Sequence, residues 1–377
     1  MHYCFWQTIV SHQMMALADG LVDLGCDVTY VAEQALTADR VALGWQDKRS
    51  NRVKVIIAAD SSRVDALLDT LDGSEVHLCQ GLRGNWFSEY VVGALGNRRC
   101  RYWIVMETMR NKGAAGLLRR IAYARLLRKR KRDALGILAI GHRTTDWVVA
   151  RGFPSERVHP FAYFMAIPEL ARKTPASCEW RPVRFMFVGQ LIPRKRLGFL
   201  IDALGELTDS NFTLTIIGIG EMEPELRRQA AGCLAGRVQW AGVIPASEVS
   251  GHLAQADCLV LPSIHDGWGT VVSEALIVGT PVICSDACGA AGVVRASGAG
   301  GVFATDDISE LRHLLSAVVE RGVVDTAERQ RLRSWSQCLG GRAGAAYLLA
   351  LTRGESTVPP WVAAEAESHE LAMNIGT

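Results

Sequence analysis

The stretch CLVLPSIHDGWGTVVSEALIVGTPVICSD, Cys258 to Asp286, constrains the fold more than any other part of this chain. The apolar run Cys258 to Leu261 reads as a buried strand, and Pro262 with Gly267 to Gly269 opens a loop. Thr270 to Val278 then repeats apolar residues at helical spacing until Gly279 stops the helix before Pro281 and a second apolar run. Strand, loop, helix and strand in that order form a βαβ turn. Its two strands must lie parallel, in a sheet covered on its faces.

Two carboxylates sit in this unit eight positions apart, Asp266 in the loop and Glu274 one turn into the helix. The glycines let backbone approach a ligand closely, and the first free N–H groups of a helix suit a diphosphate. One acid can then hold sugar hydroxyls and the other ribose hydroxyls. The plainer reading is an ordinary βαβ turn whose helix-start carboxylate complements the macrodipole, but that role does not require the loop glycines. The arrangement resembles the paired-acid motif of family 4 glycosyltransferases of the GT-B superfamily, where two glutamates flank a Gly-Phe-Gly or Gly-Trp-Gly loop. Here the first acid is Asp266, one methylene shorter. The resemblance implies donor contacts from Asp266, Gly267, Trp268, Gly269, Thr270 and Glu274.

A second segment, RFMFVGQLIPRKRLGFLIDAL from Arg184, places a buried strand before a basic loop and an amphipathic helix with Leu197, Leu200, Ile201 and Leu204 inward. Adjacent cations Arg194 and Lys195, just past a parallel strand, suit a pyrophosphate leaving group whose charge grows as the glycosidic bond breaks. Such a run also reads as a solvated charged loop. The resembled family has its phosphate-binding lysine at this distance from the strand-end glycine, here Gly189, and an arginine after that glycine where this chain has Gln190. Arg194 is therefore expected to share the load with Lys195. Two weaker signals follow: Gly218 and Gly220 form a lone GxG at a strand end, usually only a tight turn. Val243 and Ile244 lie where the family has a loop beside the nucleotide base.

Before residue 166 apolar runs and helical stretches alternate, which predicts a doubly wound parallel sheet. A polar stretch, 167–182, reads as a linker, and 183–334 repeats the alternation as a donor domain. The resemblance implies a GT-B fold, two Rossmann-like domains facing an interdomain cleft, with a crossover helix over 335–351 returning to the first. Residues 352–377 are expected to be a poorly ordered tail. A chain of 377 residues with 49% hydrophobic composition supports two cores. The ten cysteines show no CxxC or metal-ligand spacing, and the N-terminus lacks a signal-peptide pattern, so a reduced, cytoplasmic protein is expected.

Ligands of open α/β sheets bind beyond the carboxyl ends of the strands. On the acceptor side this selects His12 after the first strand, Glu107 at the end of RYWIVME, and His142 after ILAIG, the last equally readable as a helix cap. Family members commonly have a histidine near the donor sugar where this chain has Glu107, which either binds a sugar hydroxyl or pairs with Arg110. Between 110 and 132 there are ten Lys and Arg and no Asp or Glu, interleaved with Leu117, Leu118, Ile121, Leu126 and Leu127. A basic amphipathic helix of this kind suits an anionic membrane surface, as on the inner face of a cell membrane, or simply packs on the sheet with a solvated basic face. Nucleic acid is disfavoured, since aromatic interleaving is limited to Tyr123.

Taken together, the resemblance implies a retaining glycosyltransferase using a UDP- or GDP-linked sugar and a glycan or lipid-linked glycan acceptor, with Asp266, Glu107, Lys195 and Arg194 as the catalytic set. No Asp-x-Asp motif is present, so no metal and no cofactor beyond the substrate is expected. Two alternatives stay open: a nucleotide-sugar epimerase or hydrolase on the same scaffold, and a non-catalytic nucleotide-sugar-binding subunit of a polysaccharide assembly complex.

Overall fold

The computed structural model describes residues 1–47, 49–109, 113–169, 181–207 and 210–375. It divides into two compact units. The first comprises Met1–Ala38, Asp47–Ala166 and Leu339–Pro360, and the second Asp39–Gln46, Ile167–Cys338 and Trp361–Thr377.

Among the described residues the first unit holds a seven-stranded sheet. Its strands are β1 (His2–Ile9), β2 (Asp27–Gln34), β3 (Lys54–Ile57), β4 (Val76–Gln80), β5 (Tyr102–Glu107), β6 (Ala134–Ile140) and β7 (Val158–Phe161). They pair in parallel in the order β3-β2-β1-β4-β5-β6-β7. Tyr3, Cys4, Phe5 and Trp6 are all buried, as are Tyr102 to Met106, because helices cover both faces and neither can be polar. One face packs on helix His12–Asp23, which crosses helix Gly341–Arg353 with backbones in contact: a Cβ on Gly20 would stand 2.4 Å from the Gly341 carbonyl oxygen.

The second unit holds a six-stranded sheet among its described residues. It consists of β8 (Val183–Val188), β9 (Phe212–Ile217), β10 (Val238–Gly242), β11 (Cys258–Leu261), β12 (Val282–Ser285) and β13 (Gly300–Phe303). The order β10-β9-β8-β11-β12-β13 is again parallel throughout. Beneath it, Asp257 is fully buried, yet its carboxylate accepts from Arg181 at 2.6 and 2.9 Å and from Arg329 at 3.2 Å. Removing a buried charge from water is tolerated only with such pairing.

Four expectations need correction or lie elsewhere. The tail is not irregular: helix Gly341–Arg353 runs past residue 352, and a further helix spans Pro360–Ile375. Most of the linker, and Arg110 as a partner for Glu107, fall outside the described residues. The basic segment forms helix Gly113–Arg130, but its apolar residues divide. Tyr123 and Leu127 are buried in the core, whereas Leu117, Leu118 and Ile121 are 52%, 69% and 43% exposed.

Candidate active site

In both sheets the strand order reverses once, between β1 and β4 in the first unit and between β8 and β11 in the second. Crevices form at such reversals because the connections leave in opposite directions. Apart from Ile244, which follows the edge strand β10, the predicted donor residues lie just beyond the second of these points. Gly189 follows β8, Ser263 to Asp266 follow β11, and the short 3₁₀ turn Pro193–Lys195 brings the basic loop beside them.

The basic loop and the acidic loop are joined by several contacts. Lys195 Nζ stands 2.5 Å from Asp266 Oδ2, and Arg194 lies 3.7 Å from Asp266 Oδ1. Arg194 also donates to the His265 carbonyl at 2.9 Å, while the Ile264 N–H donates to the Arg194 carbonyl at 3.0 Å. Only 12% and 14% of the Lys195 and Asp266 side chains are exposed, so the pair is weakly screened. Arg196, in the left-handed region at φ 52°, ends the 3₁₀ turn and sends its own side chain away to the Thr305 carbonyl. That separation leaves Arg194 and Lys195, and not Arg196, facing Asp266.

Sequence reasoning missed the groups that hold Asp266 in place. Ser263, fully buried, has its hydroxyl 3.4 Å from Asp266 Oδ2, and Ser285 donates to the Ser263 carbonyl at 2.5 Å. The Asp266 N–H donates to the Ala287 carbonyl, and the Gly289 N–H returns to the Asp266 carbonyl at 2.9 Å. A Cβ on Gly289 would stand 1.8 Å from the Gly267 oxygen, so no larger residue fits that crossing. The two serines flank the motif in PSIHD and VICSD, but nothing in their local pattern marks them as its supports.

Helix Thr270–Ile277 begins at Gly269, whose φ of 84° turns the chain into it, and no side chain caps it. Its first turn carries no acid. Glu274 therefore lies beyond the first turn, where the dipole effect has faded, which weakens the macrodipole reading of its position. Trp268 departs from its assignment as a donor contact. It is 3% exposed, and its indole N–H donates to the Ser273 hydroxyl at 3.0 Å, so it braces the loop from inside. The β8–β9 ladder continues through Gly189 and Leu191, which donate to the Ile217 and Ile219 carbonyls, so the GxG strand end supports the basic loop. Gln190 is half-buried in that continuation, Thr270 is half-buried at the helix start, and Ile244 is half-buried in the loop after β10.

The three acceptor candidates all lie at the carboxyl edge of the first sheet. Glu107 ends β5 opposite Ile140 of β6, and His142 follows β6, so the two occupy adjacent strand tips. His12 opens the helix after β1, two strands away, behind the N-cap Ser11, whose hydroxyl accepts from the Met14 N–H at 3.4 Å. His142 does not cap the next helix; Arg143 occupies that position. Among the described residues no cluster of His, Cys, Asp and Glu has the makings of a metal site.

Residues 180–334 match the family of group 1 glycosyl transferases. A 2-deoxystreptamine glucosyltransferase of Streptomyces kanamyceticus is 26% identical over 217 residues, 54% of this chain and 56% of that protein. A phosphatidyl-myo-inositol mannosyltransferase of Mycobacterium leprae is 31% identical over 153 residues, 38% of this chain and 40% of that one. The chain thus spans about half the length, or less, of these relatives. Among solved structures, Anabaena Alr3699/HepE in complex with UDP superposes with a TM-score of 0.70 at 15% identity, covering 94% of this chain and 100% of the other. The lipopolysaccharide outer core galactosyltransferase WaaB gives 0.68 at 17% identity, covering 94% and 99%. The fold is GT-B, and the family 4 resemblance holds.

Proposed function

We propose that this chain, whose residues 180–334 belong to the group 1 glycosyl transferases, is a retaining glycosyltransferase. It moves a sugar from a UDP- or GDP-linked donor to a hydroxyl of a glycan or lipid-linked glycan acceptor in cell-surface polysaccharide synthesis. The observation that carries this reading is the Lys195–Asp266 contact, 2.5 Å long at the reversal point of a parallel sheet, beside a helix start that no side chain caps. Lys195 and Arg194 neutralise the departing diphosphate with the helix N-terminal amides, a charge that is larger in the transition state than in the ground state. Asp266 balances both cations until the donor arrives and then orients the sugar, and Glu274 holds the ribose. The leaving phosphate itself takes the acceptor's proton on the same face of the sugar, so no protein base is needed. No divalent ion is required either, since the chain lacks an Asp-x-Asp clamp.

The same reading puts helix Gly113–Arg130 against an anionic membrane. Exposed Leu117, Leu118 and Ile121 adjoin exposed Arg120, Arg125, Arg128 and Lys129, an apolar patch edged by cations. None of the described helices is long and apolar enough to cross a membrane. A relative named for phosphatidyl-myo-inositol fits an acceptor at such a surface.

The test begins with melting shifts against UDP, GDP and dTDP, where a ligand at a hundred times its dissociation constant adds about 2.7 kcal/mol. Turnover of the matching nucleotide sugar is then followed with and without acceptor glycan, in EDTA, with the product anomer read by NMR. Acceptor-dependent transfer with retention, unaffected by EDTA, is expected. Equal turnover without acceptor would replace the reading with a hydrolase or epimerase, and binding without turnover with a nucleotide-sugar-binding subunit.

A further inference from the structure

Trp86 stands at the carboxyl edge of the first sheet, where it opens helix Trp86–Asn97 after β4. It is 41% exposed, yet it is held firmly. Its indole N–H donates to Glu33 Oε1 at 2.6 Å, and the Asn85 amide donates to Glu33 Oε2 at 2.9 Å. The fully buried Phe87 meets the ring edge-on at 5.6 Å between centroids, with Tyr90 at 6.4 Å. Glu33 lies near the end of β2, and β2 and β4 flank β1 on either side. The Glu33–Trp86 bond therefore spans the tip of β1, next to the point where the strand order of this sheet reverses.

An aromatic plane fixed by a carboxylate and a buried phenylalanine loses little freedom when something stacks on it. Its neighbours in the chain Arg83, Gly84 and Glu89 are exposed, and between residues 80 and 100 Trp86 is the one large apolar side chain that is exposed. One apolar plane ringed by hydrogen-bonding groups matches a pyranose, which has a C–H face and a rim of hydroxyls. It does not match an acyl chain, which would need a continuous apolar track. We propose that Trp86 is an acceptor subsite that stacks one pyranose ring of the acceptor glycan, with Glu33 holding the indole and taking a hydroxyl. This rests on the glycosyltransferase reading, and it names the chemical class of the second substrate.

The experiment has two arms. The protein is labelled with 5-fluorotryptophan, the Trp86 resonance is identified by its loss in Trp86→Phe and again in Trp86→Tyr, and methyl glycosides of glucose, galactose, mannose and N-acetylglucosamine are titrated to their solubility limits without nucleotide. Movement of the Trp86 signal with at least one glycoside supports the subsite; no movement with any, or movement only with a nucleotide sugar, overturns it. In steady-state transfer, Trp86→Ala raises the acceptor KM by about tenfold, Trp86→Phe keeps most of the affinity, and the donor KM stays at the wild-type value. A donor KM that rises in step overturns the proposal. The first arm needs no turnover, so failure of the transferase reading would leave the binding result interpretable.

Discussion

Lys195 and Asp266 lie 71 positions apart in the chain and 2.5 Å apart in space, each nearly covered, at the one reversal of the second sheet. Breaking one side strands the other charge where water reaches it poorly. Lys195→Met and Asp266→Asn are each expected to cost about 1–3 kcal/mol of stability, and the double variant less than their sum. Denaturant midpoints of the three variants give the coupling; strict additivity would mean the pair contributes nothing.

Function should divide the two acids. Asp266→Asn is expected to depress kcat more than KM, whereas Glu274→Gln mainly raises the donor KM, at about 1–3 kcal/mol. Asp266→Glu restores the common family residue and should keep substantial activity. Wild-type kinetics in both neutralising variants would remove the donor site from this loop.

Gly289→Ala drives a methyl into the Gly267 carbonyl at 1.8 Å and displaces the strand of backbone that fixes Asp266. A loss of at least about 2 kcal/mol and a weaker donor melting shift are expected. Gly232→Ala is the control, since nothing lies within 4 Å of its added carbon in helix Glu223–Cys233, and it should stabilise by about 0.5–1 kcal/mol.

The basic helix is tested with Arg128, Lys129, Lys131 and Arg132 changed to glutamine, sparing Arg130, which reaches the Val92 carbonyl at 3.4 Å. Binding to phosphatidylserine vesicles should fall by roughly 1 kcal/mol per charge removed, with the melting temperature nearly unchanged. Undiminished vesicle binding would leave the helix a packing element only.

His77 is buried against Trp6, whose indole N–H donates to its Nδ1 at 3.2 Å. Burial pushes its imidazole down to about 4 from the ordinary 6.5, with Glu75 opposing and His2 adding. The unfolded chain therefore takes up this proton first, and stability held above pH 6.5 is lost as pH falls towards 4, by at most about 3 kcal/mol. His77→Gln, which still accepts from Trp6, should show a shallower fall in melting temperature across that window.

Much of the fold was legible in the sequence because parallel strands covered on both faces must be apolar almost throughout. CLVL and VICS, bounded by glycine and proline, declare themselves by composition alone, and the start of helix Thr270–Ile277 follows from local glycine chemistry. The loop position of Asp266 follows in the same way. Its partner and supports do not, because Lys195, Ser263, Ser285 and Gly289 converge only when β8, β11 and β12 lie side by side, and no local period encodes that order. Tertiary packing also decided which way a side chain turned. Trp268 went inward to Ser273, and the apolar residues of helix Gly113–Arg130 split between core and surface, since periodicity names a face but not what will cover it. Trp86 and Glu33, 53 positions apart, became neighbours for the same reason: they lie on strands and turns that the sheet alone brings to either side of β1.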